Sequence, residues 1–157
     1  MLQPSQLLAI LSNPSETSGS RTLKRVRKIS LILGFETFQV ENLFPLATRS
    51  SGGIALVGTL GETWKGHRFN LDACLSRADA VLLAHGLGKP RGPAGLHYEE
   101  QLVWLNERLA HKQIPTFMVG DGPRHPSRWQ RHTHRAYPEL TFDVALARSV
   151  RRIDGGM

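Results

Sequence analysis

Three polar side chains stand where apolar runs stop: Asn13 after QLLAIL, Asn42 after FQVE, and His125 five residues beyond IPTFMVG. A carboxamide carries a donor and an acceptor on one planar group, and an imidazole exchanges a proton near neutral pH. Asn13 and His125 each precede a proline, Pro14 and Pro126, which stiffens the loop and fixes the direction of the side chain. Plainer roles stand beside these. Asn-Pro commonly starts a turn, Asn42 could cap a following segment, and His125 could bond a backbone carbonyl.

Two other arrangements fail on inspection. Gly86-Leu87-Gly88-Lys89-Pro90 looks like a phosphate loop, but Leu83 stands where the first glycine belongs and Pro90 where a hydroxyl residue belongs. His125, His132 and His134 have no acidic or thiol partner close by in sequence, and on a helix residues two apart point away from each other, so no metal and no cofactor are expected.

The elements that position these residues follow from periodicity. QLLAIL, residues 6–11, reads as a buried strand cut off by Ser12-Asn13-Pro14-Ser15. A helix capped at Ser20 or Thr22 follows, with Leu23, Val26, Ile29 and Ile32 or Leu33 at helical spacing and Gly34 as its stop. Residues 35–41 alternate as a strand ending at Asn42-Leu43-Phe44-Pro45. The stretch 49–66, with five glycines, is expected to be a flexible loop or lid. A helix over 68–77, a strand over 80–86, a helix through Tyr98, Leu102, Leu105 and Leu109, and a strand over 114–120 complete the pattern. Residues 138–157 give only TFDVAL, 141–146, as a candidate edge strand.

Strands alternating with helices imply parallel pairing through right-handed crossovers, hence one three-layer α/β/α domain over residues 1–157 with a four-stranded, mainly parallel sheet. Ligands of such sheets bind beyond the carboxyl ends of the strands. That rule selects the loops bearing Asn13, Asn42, His85 and His125.

Twenty Lys+Arg against 13 Asp+Glu give a formal charge of +7, and the pI is about 10.3, which favours polyanionic partners. The cations cluster as Arg21, Lys24, Arg25, Arg27 and Lys28, then Arg124, Arg128, Arg131 and Arg135, then Arg148, Arg151 and Arg152. Trp129 and histidines interleave the second cluster. Any one cluster could equally be a solvated face. One cysteine, Cys74, excludes an internal disulfide and reads as core in a reduced compartment. The start MLQPSQ has no basic n-region and no apolar stretch reaches membrane-span length, so a cytoplasmic protein without membrane contact is expected. Oligomeric state is not legible.

Four segments, LLAILSNPS, FQVENLFPLAT, ADAVLLAHG and VGDGPRHPSRW, resemble in order and spacing a bacterial and phage family catalogued as domain of unknown function sixteen forty-three, over residues 7–129. The chain departs from that pattern in placing Glu16, Ser18 and Ser20 where an acidic run is usual, and AHG where AWG is usual. The layout is also similar, more distantly, to the uracil-DNA glycosylase superfamily. There, Asp-Pro or Asn-Pro follows one strand, an Asn ends a middle strand, and His-Pro-Ser lies in a late loop. Asn13-Pro14, Asn42 and His125-Pro126-Ser127 match in turn, and the alternation of elements taken with this likeness implies the strand order 2-1-3-4, a uracil-DNA glycosylase-like fold.

The resemblance implies a DNA base-excising N-glycosylase in which Asn13 orients a water, Asn42 pairs with the base edge, Phe44 stacks on it, and His125 stabilises the departing base. It also implies DNA or RNA contacts from Arg124, Ser127, Arg128, Trp129, Arg131, Lys24, Arg25 and Lys28, with Arg128 or Trp129 as a wedge into the duplex. Against catalysis, the chain is shorter than most glycosylases and no aromatic residue follows NPS. A non-catalytic nucleic-acid or nucleotide-binding module on the same fold, and an enzyme acting on free nucleosides, stay open beside the leading reading.

Overall fold

The computed structural model describes residues 5–16, 19–49 and 51–153; Ser18, Ser50 and the chain ends lie outside them. The elements run β1 (Gln6–Leu11), α1 (Ser20–Leu33), β2 (Thr37–Asn42), a 3-10 turn (Ser51–Gly53), α2 (Ile54–Val57), α3 (Gly61–Gly66), α4 (Arg68–Arg77) and β3 (Ala80–Leu83). They continue with α5 (Pro93–Lys112), β4 (Thr116–Val119), a 3-10 turn (Pro126–Arg128), α6 (Trp129–Ala136), α7 (Phe142–Ser149) and β5 (Val150–Ile153).

The sheet order is β2-β1-β3-β4-β5. The first four strands pair in parallel, with Leu11 opposite Asn42 and Ile10 opposite Leu83, so the loops after β1, β2 and β3 leave one edge of the sheet together. The expected order 2-1-3-4 is therefore present. A fifth strand extends it, because β5 runs antiparallel beside β4 with Val119 opposite Val150.

Two apolar clusters fill the space on either side of the sheet. One joins Leu8, Ile10, Val81 and Leu83 to Phe44, Trp64, Leu71, Leu75, Tyr98 and Leu105. The other joins Leu7, Ala9, Leu11 and Leu82 to Val26, Ile29, Trp129 and Leu146. Alternation along β1 sends successive side chains to opposite clusters, and both faces are covered, so the strand reads as a continuous apolar run.

Three expectations are corrected. The segment 141–146 is not an edge strand: the Thr141 hydroxyl accepts from the Val144 amide, Asp143 lies in the first turn, and α7 buries Ala145, Leu146 and Ser149 at helical spacing. The edge strand is Val150–Ile153 instead, where exposed Arg151 and Arg152 interrupt any apolar alternation; charges are a common guard on a sheet edge. The stretch 49–66 is largely helical turns, anchored by Ile54 and by buried Trp64, whose indole N–H donates to the Gly58 carbonyl at 2.9 Å. Neither Ser20 nor Thr22 caps α1; Gly19, at φ 64°, holds the boundary with no side-chain cap, a left-handed conformation that glycine adopts readily.

Candidate functional site: a carboxylate-free cationic cleft

A cleft of about 1440 Å³ lies over the edge of the sheet where β1, β2 and β3 end. Asn13, Asn42 and His125 all line it, with Arg124, Ser127, Arg128 and Arg131. Three segments remote in sequence are thus brought to one cavity, as the strand-end rule requires.

Asn13 is locked in place. Its amide nitrogen donates to the Thr48 hydroxyl at 2.7 Å, to the Leu46 carbonyl at 3.2 Å and to the Pro14 carbonyl at 3.3 Å. These bonds tie the loop after β1 to the loop after β2, which also share the parallel bridge Ser15 to Thr48. With the nitrogen committed, chemistry at Asn13 falls to its amide oxygen.

Asn42 ends β2 and is held from behind. Its backbone N–H donates to Glu41 Oε1 at 2.9 Å, and its carbonyl accepts from His67 Nε2 at 2.8 Å, which also donates to Glu41 Oε1 at 3.1 Å. Burial opposes ionisation of Glu41, but the bonds from His67 and the Asn42 amide outweigh it and hold the carboxyl below its usual range. The Asn42 side chain differs in one respect: Oδ1 is buried and has no hydrogen-bond partner. A buried carbonyl left unpaired costs about 1–3 kcal/mol, so this acceptor can take a hydrogen bond from a donor that enters the cleft.

His125 is half-buried at the start of the turn before α6. Its Nδ1 accepts the Ser127 backbone N–H at 3.2 Å and lies 3.0 Å from the Ser127 hydroxyl. An Nδ1 that accepts leaves the proton on Nε2, so the ring is a neutral Nε2–H donor. Burial lowers its pKa first, and the charges of Arg25 and Arg128 add to the effect.

His85 and Tyr98 also line the cleft and were not singled out as site residues from the sequence. His85 is buried beyond the end of β3, with Nδ1 2.9 Å from the Tyr98 hydroxyl. Burial pushes the His85 pKa down to about 4 and the Tyr98 hydroxyl up to about 12. The signal available beforehand was a histidine at the end of the apolar run AVLLA. The unfolded chain binds a proton at His85 near pH 6.5 that the folded chain refuses until about pH 4. Its share of stability is complete above about pH 6.5 and is lost on acidification toward pH 4, by up to about 3 kcal/mol. Urea unfolding across that range should show the loss, and His85→Gln should flatten it.

The electrostatics of the rim are one-sided. Seven arginines and Lys89 line the cleft: Arg21 at the start of α1, Arg49, Lys89 and Arg91 after β3, and Arg124, Arg128, Arg131 and Arg135 around α6. No carboxylate lines it among the described residues. Arg124 is paired with Asp121, Lys89 with Glu99 and Arg49 with Glu16, while Arg21, Arg91, Arg128, Arg131 and Arg135 are exposed.

Comparison of the chain with protein-family models, with curated proteins and with solved structures gives no match. The site is therefore read from its own geometry.

Five residues expected at the site stand elsewhere. Phe44 is fully buried against Trp64, ring centroids 4.6 Å apart, and offers no face to a base. Trp129 is fully buried in the cluster with Val26 and Leu146, and its indole N–H donates to the Arg124 carbonyl at 2.9 Å, so it supports the loop and cannot be a wedge. Arg25 donates to the Pro126 carbonyl at 2.7 Å and to Gln130 at 3.2 Å, joining α1 to the turn that carries His125. Lys28 pairs with Asp143 at 2.7 Å. Lys24 is exposed on α1 and lines no part of the cleft. Trp129→Ala should accordingly cost about 3–5 kcal/mol of stability in denaturant titration. A base-stacking wedge, in contrast, would lose binding with stability kept.

His132 and His134 lie on α6, the first lining the cleft and the second exposed. Among the described residues no three His, Cys, Asp or Glu side chains are grouped to hold a metal. Among the described residues no helix is long and apolar enough to cross a membrane.

Proposed function

We propose that the cleft binds nucleic acid and hydrolyses the N-glycosidic bond of one base, in the manner of the uracil-DNA glycosylases to which the Asn-Pro, Asn and His-Pro-Ser segments are similar. The observation that carries this reading is the pairing of a cleft lining that holds eight cations, five of them exposed arginines, and no carboxylate among the described residues, with an orphaned amide oxygen, Asn42 Oδ1, inside. Such a rim attracts phosphates, and a lone buried acceptor suits the N–H of a base edge. A free nucleoside has no phosphate to meet the rim, which argues for the polymer over that alternative.

In this reading Asn42 Oδ1 accepts from the base, Asn13 turns a water toward the anomeric carbon, and the glycosidic bond breaks with its electron pair passing to the base. The water oxygen bonds to that carbon and releases a proton to solvent. Negative charge grows on the base carbonyl as this happens, and the neutral Nε2–H of His125 donates to it. Arg128 and Arg131 hold the flanking phosphates.

A binding module without catalysis is the second reading, favoured by one observation. Among the described Phe, Tyr and Trp residues only Tyr98 lines the cleft, and it is 4% exposed, so little of its ring surface could meet a base. The test is exposure of the protein to oligonucleotides carrying uracil, deaminated purines or other modified bases, followed by alkali to cut abasic sites. Cleaved strands support the enzyme; intact strands that nevertheless bind leave the module.

A further inference from the structure

We propose that His85 is the general base of the site: its Nε2 takes the proton from the water that Asn13 turns toward the anomeric carbon, and Tyr98 holds the ring in the tautomer this requires. This inference rests on the base-excision reading above and supplies the first acceptor for the proton that passes there to solvent. Water adding to that carbon must lose a proton, and a carboxylate, the usual acceptor, is absent from the lining among the described residues. Arginines and a lysine, already charged, cannot take it. Of the three described histidines that line the cleft, His125 is committed to the departing base through its Nε2–H. His132 sets its Nε2 against the backbone of Gly120, where an added Cβ would sit 2.4 Å from it. His85 is left.

The fold places His85 for the task. Ile10 pairs with Leu83 on adjacent parallel strands, and the Ala84 N–H donates to the Ile10 carbonyl at 2.9 Å. His85 and Asn13 thus follow the ends of neighbouring strands, which run about 4.8 Å apart. The alternation along β3 that sends Val81 and Leu83 into the cluster with Tyr98 sends His85 the same way, and its Nδ1 lies 2.9 Å from the Tyr98 hydroxyl. Tyr98 is itself fixed, its ring edge-on to buried Trp64 with centroids 6.1 Å apart. With Nδ1–H donated to the Tyr98 oxygen, the lone pair lies on Nε2, the ring nitrogen left for the cleft. The step then balances. The water oxygen bonds to the anomeric carbon, its proton moves to Nε2, and the electron pair of the broken glycosidic bond leaves with the base. Burial disfavours the imidazolium so formed, which drives its proton on to solvent.

The tautomer can be read without any substrate. Long-range proton–nitrogen NMR of the wild-type imidazoles should find His85 Nδ1 protonated and Nε2 bare at neutral pH, and Tyr98→Phe should mix the two tautomers. A proton on Nε2 in the wild type would overturn the base whatever the activity. In single-turnover release from the oligonucleotides named above, His85→Gln should be about 100-fold slower with affinity unchanged, and Tyr98→Phe slower by a smaller factor. Should His85→Gln fail to fold, the NMR and Tyr98→Phe decide the matter: wild-type tautomer and full rate in Tyr98→Phe would overturn the role given to the phenol. Full-rate release by a folded His85→Gln would overturn the base and leave the base-excision reading standing. No release by the wild type from any of the oligonucleotides would overturn that reading and the base with it.

Discussion

Affinity for a short oligonucleotide should fall about 10³-fold when monovalent salt is raised from about 50 to about 200 mM. The size follows from the rim. Five of its arginines, Arg21, Arg91, Arg128, Arg131 and Arg135, are exposed, and Arg124, Lys89 and Arg49 are shared with carboxylates. Neutralising about five or six phosphates releases their counterions and gives a log–log slope near −4 to −5, the single-stranded form being the shallower. The double variant Arg128→Ala, Arg131→Ala should reduce the slope by between one and two, with little change in stability because both side chains are exposed. Fluorescence anisotropy across a salt series measures both quantities. A flat series, or no binding at the lowest salt, would remove polyanion recognition from this cleft.

Single-turnover base release should fall about 100-fold or more in His125→Ala while oligonucleotide affinity changes little, since the Nε2–H bond strengthens only as charge develops on the leaving base. Asn13→Ala should also slow release, but its loop loses three hydrogen bonds donated by the amide nitrogen, so its stability has to be measured beside its rate. The pH profile separates two roles for His125. Burial and the neighbouring Arg25 and Arg128 hold its pKa below the ordinary histidine value, so a neutral donor stays in its working form as pH falls through that ordinary range. The rate should hold level there and change only in more acid solution. A rate that instead climbs steadily as pH drops through the ordinary histidine range would show that the protonated ring is needed, contrary to the tautomer imposed by Ser127.

Local periodicity was enough for much of this architecture. The runs QLLAIL, AVLL and TFMV are short, apolar and bounded by turn residues, and α1 and α5 carry apolar residues at spacings a strand cannot use; each stands in the structure within a few residues of its expected bounds. Because the strands alternate with helices, parallel pairing followed from chain connectivity, while the order β2-β1-β3-β4 was expected from that alternation together with the superfamily likeness; the strand-end rule then led to the convergence of Asn13, Asn42 and His125 on one cleft. The C-terminal segment resisted the same reasoning. In TFDVAL the apolar positions fit either period, and only Thr141 capping Val144 and the packing of Leu146 against the sheet make it a helix. The strand that follows carries two arginines, so pairing with β4, not its own pattern, makes it a strand.

Exposure was beyond the sequence altogether. Phe44 and Trp129 sit next to the site in sequence, yet each is enclosed by residues far along the chain, Trp64 in one case and Val26 and Leu146 in the other. A side chain's accessibility is a property of what packs on it, which no local pattern records. The same holds for charge: Arg25 and Lys28 were indistinguishable in sequence from rim cations until Pro126, Gln130 and Asp143 came within bonding distance. The neutral tautomer of His125, the unpaired oxygen of Asn42 and the convergence of eight cations on a lining with no carboxylate among the described residues are likewise products of tertiary contact. Composition made polyanions the expected partners; only the fold decided which of the cations face one cavity, because that depends on distances between segments up to a hundred residues apart.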